Sequence, residues 1–367
     1  ANFKSPTAMC LEDSTILAID NCQKANPATD GSDLFDLFYK PTNEVLGEGG
    51  FGFVAKVISS ATGKSRAVKV IYVGSKGTGK VDLQLVADAQ REVEIMRKVG
   101  SHKNVVELQR SFFDNSLLIY TVVMEKCEGN MLEALDQIAQ ISNRKFVLLV
   151  REMLLGTAHV HKCGVVHRDL KPENFLLGGQ DGCTAKLCDF GLAALKPKGR
   201  LLRGRYGTLP YMSPEMVSGH GHSSSTDLWS LGATLYVLIY GKVPYGALDS
   251  DRTKLKLALL SGCPLPDFAY GEGSSMVRPA AAAALVKALL SRVPEHRPTA
   301  NEALSRLSSV ATAAARGSTS RRQPETVTGM TAKLKSILKK SSPIAALSAV
   351  WSSLKARRAT DQTDGVL

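Results

Sequence analysis

Short apolar runs separated by glycine-rich or Thr-Gly turns mark the first readable stretch of the chain. Val45–Leu46, Phe53–Ser59 and Arg66–Val73 predict successive antiparallel strands. Over Asp82–Val99 the period changes. Val86, Ala89, Val93 and Met96 fall on one side with charges on the other, which predicts a helix. Val105–Phe113 and Leu117–Met124 return to strand character. Beyond Gly129 helical spacing dominates, in Leu132–Ile141, Lys145–Cys163, Ser225–Tyr240, Thr253–Ser261 and Ala280–Ser291. A loop bracketed by Pro294 and Pro298 precedes a last helix, Ala300–Leu307. The fold class read from this pattern is α+β: a small sheet carrying one helix, then a larger, mainly helical part.

Composition refines this only slightly. Hydrophobic residues make up 44% and charged residues 22% of the 367, as in a globular chain rather than a disordered or fibrous one. No apolar run reaches the ~18 to 20 residues that cross a bilayer, so no transmembrane segment is expected. The chain opens on Ala1, as a trimmed or processed product would, and shows no charged-then-apolar signal pattern. Seven cysteines, irregularly spaced, suit a reducing, cytoplasmic or nuclear setting better than a disulfide framework. Cys183 and Cys188 make half of a zinc spacing that no second Cys/His pair completes. The formal charge of +12 is uneven: residues 1–41 sum to −3 and residues 309–367 to +7. No recognition helix, zinc finger or aromatic RNA-binding strand accompanies it, so no nucleic acid partner is expected. Residues 1–40 read as a weakly ordered leader with at most one short helix, 41–308 as the folded domain, and 309–367 as a basic tail.

Gly47, Gly49 and Gly52 form G-x-G-x-x-G between two predicted strands. Without Cβ atoms, backbone amides can approach phosphate oxygens closely. The same string opens dinucleotide-binding folds, but there a helix follows, and here a strand does. Ala67-Val68-Lys69-Val70 puts a lysine inside an apolar strand, where a charge needs partners. Phosphates and a helical carboxylate, Glu92 or Glu94, would supply them. His167-Arg168-Asp169-Leu170-Lys171-Pro172-Glu173-Asn174 is long and specific. Asp189-Phe190-Gly191, Ser213-Pro214-Glu215, Asp227-Leu228-Trp229-Ser230-Leu231-Gly232 and Arg297 follow in order. Together these motifs resemble the catalytic domain of eukaryotic Ser/Thr protein kinases over about residues 41–308.

That resemblance implies a two-lobed kinase fold, with a small antiparallel sheet and C-helix at 41–124 and a helical lobe at 129–308. It implies ATP and Mg²⁺ as cofactors. Asp169 would orient the acceptor hydroxyl and take its proton, Asn174 and Asp189 would hold Mg²⁺, and Lys171 would steady the γ-phosphate. Lys171 and Thr208 indicate Ser/Thr specificity, and the C-helix pattern selects Glu92 as the partner of Lys69. Val54, Ala67 and Leu176 would sandwich adenine, Met124 would be the gatekeeper, and Glu125 to Cys127 the hinge. Met96, Leu108, His167 and Phe190 would stack as a spine, and Glu215 and Arg297 would form a buried ion pair.

A pseudokinase would lack one of Lys69, Asp169, Asn174 or Asp189, and all four are present. A lipid or small-molecule kinase is disfavoured by the complete segment from Asp189 to Glu215. Between Gly191 and Thr208 that segment carries Lys196, Lys198, Arg200, Arg203, Arg205 and Tyr206, but no Ser or Thr, so the usual phospho-acceptor is missing. Arg91–Met96, Gly100–Leu108, Met124–Gly129 and His167–Leu177 are similar to the calcium/calmodulin-regulated group, above all to calcium-dependent protein kinases. No D-x-[DN]-x-[DN]-G loop occurs, so no EF-hand is expected. Gly129-Asn130-Met131 replaces the Gly-Gly-Glu often found after the hinge, leaving Glu173 to support a weakened preference for arginine near the acceptor. In the tail, Ile344, Leu347, Trp351 and Leu354 line one helical face and Lys355, Arg357 and Arg358 crowd its end. A protein substrate is the expected partner, with a calmodulin-like calcium sensor or an anionic membrane surface at residues 330–358. An ordinary solvated or docked tail is the competing expectation.

Overall fold

A computed structural model of the chain describes residues 31–49, 52–74, 80–246, 251–269 and 280–314. The amphipathic stretch at 330–358 lies outside them. One compact unit takes the described chain up to Glu94 and Leu108–Lys126; the other takes Ile95–Glu107 and the described chain from Cys127 to Ala314.

The first unit is built on five antiparallel strands: β1 (Tyr39–Gly49), β2 (Gly52–Ser59), β3 (Ser65–Tyr72), β4 (Leu108–Asp114) and β5 (Ile119–Glu125), in the order β1-β2-β3-β5-β4. Alternation along each strand sorts side chains onto two faces. Phe53, Ala55, Val57, Val68, Val70 and Val123 form one buried cluster with Phe35 and Tyr39. Phe35 belongs to a helix, α1 (Gly31–Phe38), that precedes the strands. Its ring meets Phe112 edge-on at 5.5 Å, and the Arg110 guanidinium lies 4.0 Å from the Phe38 ring. The sequence pattern places Phe35, Phe38 and Tyr39 in a weakly ordered leader and starts the strands at Val45. The reason is local: Pro41-Thr42-Asn43 is polar, and register shifts at Pro41/Val45 and Val45/Gly47 break the two-residue period. Pairing of Tyr39 with Ser59 through the backbone left no apolar alternation to read.

On the opposite face Val54 pairs with Lys69, and Ala67 with Met124. Helix α2 (Leu83–Val99) brings Glu92 to that face.

Helices form most of the second unit: α3 (Leu135–Gln140), α4 (Asn143–Lys162), α5 (Pro214–Ser218), α6 (Ser225–Tyr240), α7 (Arg252–Ser261), α8 (Ala280–Leu289) and α9 (Ala300–Ala314). The Ser142 hydroxyl accepts the Lys145 N–H at 3.3 Å and so caps α4. Its buried stripe, Phe146, Leu149, Val150, Met153, Leu154 and Val160, keeps the predicted spacing. Helix α6 is buried almost all round, Trp229 completely, and forms the centre of this unit. Helix α9 runs past Leu307 to Ala314. Sequence periodicity missed the short strands β6 (Gly129–Asn130), β7 (Val165–Val166), β8 (Phe175–Gly178), β9 (Thr184–Leu187) and β10 (Ala194–Leu195). They are too brief to show a period, yet they frame the chemistry. Strand β8 pairs with both β6 and β9, and β10 pairs with β7.

Candidate functional site

In the first unit Lys69 sits mid-β3, opposite Val54 and Val122. Its Nζ lies 2.8 Å from both carboxylate oxygens of Glu92, a residue only 4% exposed. A carboxylate so buried needs such a partner. Glu94 is exposed, because two residues turn a helix by about 200°. Gly47 pairs with Val54, and Gly49 with Gly52. A Cβ on Gly47 would meet none of the described residues within 4 Å, whereas on Gly52 it would collide with the Val70 carbonyl oxygen. Gly52 is therefore demanded by the close approach of β2 to β3. Ala67 is buried and Val54, Met124 and Glu125 are half-buried, Glu125 closing β5.

In the second unit the chain from His167 to Asn174 links β7 to β8, and Asp227 in the first turn of α6 holds it. The Oδ2 of Asp227 accepts the His167 backbone N–H, and its Oδ1 that of Arg168, each at 2.8 Å. His161 Nε2 lies 2.8 Å from the same Oδ2. These bonds support Arg168 at φ 68°, a left-handed conformation that a side-chain-bearing residue rarely adopts. Burial pushes the Asp227 carboxyl up, but the bond and charge of His161, with His167, outweigh it and hold the group below the usual carboxylate range.

Asp169 is the convergence point. Its Oδ2 lies 2.8 Å from Lys171 Nζ, and its Oδ1 accepts the Thr208 N–H at 2.9 Å. Asn174 Nδ2 donates to the Asp169 carbonyl at 2.8 Å and, more weakly, to Oδ2 at 3.3 Å. Lys171 Nζ also donates to Thr208 Oγ1 at 2.9 Å. Burial alone would lower the Lys171 ammonium, but the carboxylates of Asp169, Glu173 and Asp189 reverse this and raise it above the ordinary lysine value. Burial pushes the Glu173 carboxyl up against the pull of its own backbone amide and Lys171.

The β8–β9 hairpin sets Asn174 beside Cys188, whose N–H donates to the Asn174 carbonyl at 2.9 Å. Asp189 follows at φ 61°, exposed. Leu176 stands in β8 opposite Asn130 and Lys186, and Cys127 is half-buried at the start of this unit. The His167 and Phe190 rings meet edge to face at 5.2 Å and Met96 is buried, while Leu108 belongs to the first unit. Gly207 takes φ 97°, and a Cβ there would lie 2.4 Å from the Arg168 carbonyl oxygen. Only glycine lets the segment carrying Thr208 approach Asp169 so closely. Arg297 grips Glu215 with two bonds, 2.6 and 2.8 Å. Burial pushes the Glu215 carboxyl up and the guanidinium more than offsets it, leaving it below the usual range.

The anchoring role of Asp227 and the presence of His161 were not deduced from the sequence. The motif around Asp227 was legible, but nothing local says that its carboxylate serves amides sixty positions earlier. None of the five described cysteines is joined in a disulfide. Among the described residues no helix is long and apolar enough to cross a membrane.

The family profile described as Protein kinase domain matches residues 41–307. Calcium-dependent protein kinase 27 of Arabidopsis thaliana is 32% identical over 267 residues, covering 71% of this chain and 52% of that protein. The calcium and calcium/calmodulin-dependent serine/threonine-protein kinase of Lilium longiflorum is 32% identical over 291 residues, 71% of this chain and 54% of that protein. Serine/threonine-protein kinase RAD53 of Saccharomyces cerevisiae is 30% identical over 277 residues, 71% of this chain and 32% of that protein. The chain thus spans about half the length, or less, of these three relatives.

Proposed function

The chain belongs to the protein kinase family, and from that premise we propose that it transfers the γ-phosphoryl group of ATP to a Ser or Thr hydroxyl of a protein. One observation carries the reading: both oxygens of Asp169 are held, by the Lys171 ammonium and the Thr208 amide, within one small cluster. In this reading Asp169 accepts the hydrogen bond of the acceptor hydroxyl and takes its proton as the new O–P bond forms and the bond to ADP breaks. Lys171, kept protonated by its carboxylate neighbours, meets the charge of the γ-phosphate. Lys69, aimed by Glu92, does so for the α and β phosphates. Val54, Ala67, Met124 and Glu125 are the first unit's residues for adenine in this reading.

Asn174 and Asp189 fit Mg²⁺. The side-chain nitrogen of Asn174 is committed to Asp169, which leaves the side-chain oxygen, Oδ1, for a cation. Among the described residues no group of three His, Cys, Asp or Glu forms a metal cage, as suits an ion whose remaining ligands are water and substrate phosphates. When bound, Mg²⁺ offsets phosphate charge.

Asp169→Asn should abolish transfer to Ser/Thr peptides in Mg-ATP while nucleotide affinity stays within a few-fold. An Asn variant as active as the parent would rule out this role. The irregular spacing of the seven cysteines favours a reducing, cytoplasmic or nuclear setting. The spacing of Ile344, Leu347, Trp351 and Leu354, with two relatives named for calcium, favours a calcium-sensor partner for residues 330–358. A peptide of those residues should show a calcium-dependent blue shift of Trp351 with calmodulin. Absence of that shift, with unchanged activity on deleting 330–367, removes the idea.

A further inference from the structure

The guanidinium of Arg168, one residue before Asp169, is held on two sides. Its Nε donates to the Leu192 carbonyl at 2.6 Å, and its Cζ lies 3.8 Å from the centroid of the Tyr206 ring. Leu192 lies near the start of the segment from Asp189 to Glu215, and Tyr206 stands two residues before Thr208, whose amide fixes Asp169. Arg205, next to Tyr206, is itself anchored to the Val217 and Ser218 carbonyls at 2.8 and 3.3 Å. The segment between Gly191 and Thr208 has no Ser or Thr whose phosphate could engage Arg168.

We propose that the Tyr206 ring is a positioning residue for the kinase reaction: stacked on Arg168, it clamps the segment against the catalytic loop and holds the Thr208–Asp169 contact without phosphorylation. The inference rests on the kinase reading above. The ring face offers partial negative charge to the guanidinium, whose Nε is held by the Leu192 carbonyl. The contact acts through Arg168, so it should govern the alignment of Asp169 and leave nucleotide affinity alone. The phenol hydroxyl has no part in it, so the ring alone should suffice.

The test uses the full chain, phosphatase-treated, with Tyr206→Ala and Tyr206→Phe. Tyr206→Ala should lower kcat by about two- to thirty-fold, the range of a cation–π contact, with KM for ATP little changed. Amide hydrogen exchange over residues 192–208 should quicken in the same variant, and Tyr206→Phe should restore both. A Tyr206→Ala enzyme with parental kcat and exchange would overturn the clamp, as would a Phe variant as impaired as the Ala one. So would a parent that loses its rate on phosphatase treatment. If the parent transfers no phosphate to any Ser/Thr peptide, the kinase reading itself fails, and the exchange measurement still decides the clamp separately.

Discussion

Asp227→Asn removes one charge and almost no volume from the group that holds the catalytic loop. The carboxylate accepts three hydrogen bonds, from the His167 N–H, the Arg168 N–H and His161. With its carbonyl in the Oδ2 position, asparagine keeps the His167 and His161 bonds and turns its NH₂ towards the Arg168 N–H. A buried N–H left unsatisfied costs about 1–3 kcal/mol, and each surviving bond loses about 1 kcal/mol of charge assistance. The sum is about 3–5 kcal/mol, a large fraction of the stability of an ordinary domain. Urea unfolding read by the fluorescence of Trp229, fully buried two residues further on, should show the drop. The loop would also lose the constraint on Arg168 and hence on Asp169, so kcat should fall by about 100-fold, since small misplacements of reacting groups cost that much. The pH dependence has a definite sign. The folded carboxyl lies below its ordinary value, so its contribution is present above about pH 3.9 and fades as pH falls towards the lowered pKa. The gap between parent and variant should narrow under acid. A variant with the parental unfolding midpoint and kcat would show that Asp227 does not organise the loop.

Gly207→Ala would put a methyl 2.4 Å from the Arg168 carbonyl at φ 97°. It should lower kcat by at least about ten-fold with only about 1–3 kcal/mol of destabilisation, and wild-type steady-state rates would contradict this. Phe35→Ala, which empties a site in the first unit's core, should destabilise the chain by about 3–5 kcal/mol, read as a lowered thermal midpoint. A loss below about 1 kcal/mol would mean that α1 is not part of that core.

The chemistry was legible because phosphoryl transfer confines residue types within short strings. Asp169, Lys171 and Asn174 lie in one such string, and the structure gathers them through bonds only two and five residues apart in sequence. Helices α4 and α6 were legible for a different reason: burial over many turns repeats often enough to impose a period. Helix α1 and the start of β1 were not, because a single turn or two and a bulged, Pro-containing strand show no period to read.

By itself, the sequence determined the family, the order of the motifs and the residue types that could handle a phosphate and a proton. Which residues meet was decided by tertiary structure. Residue types alone left Glu92 and Glu94 open; the family resemblance selected Glu92, and the rotation of one helix against one sheet turns it to Lys69. Asp227 reaches His167 and Arg168 only because α6 is buried beside the loop. Tyr206, on a loop that in sequence is merely basic, lies over Arg168. Contacts of this kind join positions far apart in the chain, and their geometry is set by how the whole core packs, which no local pattern of residues records.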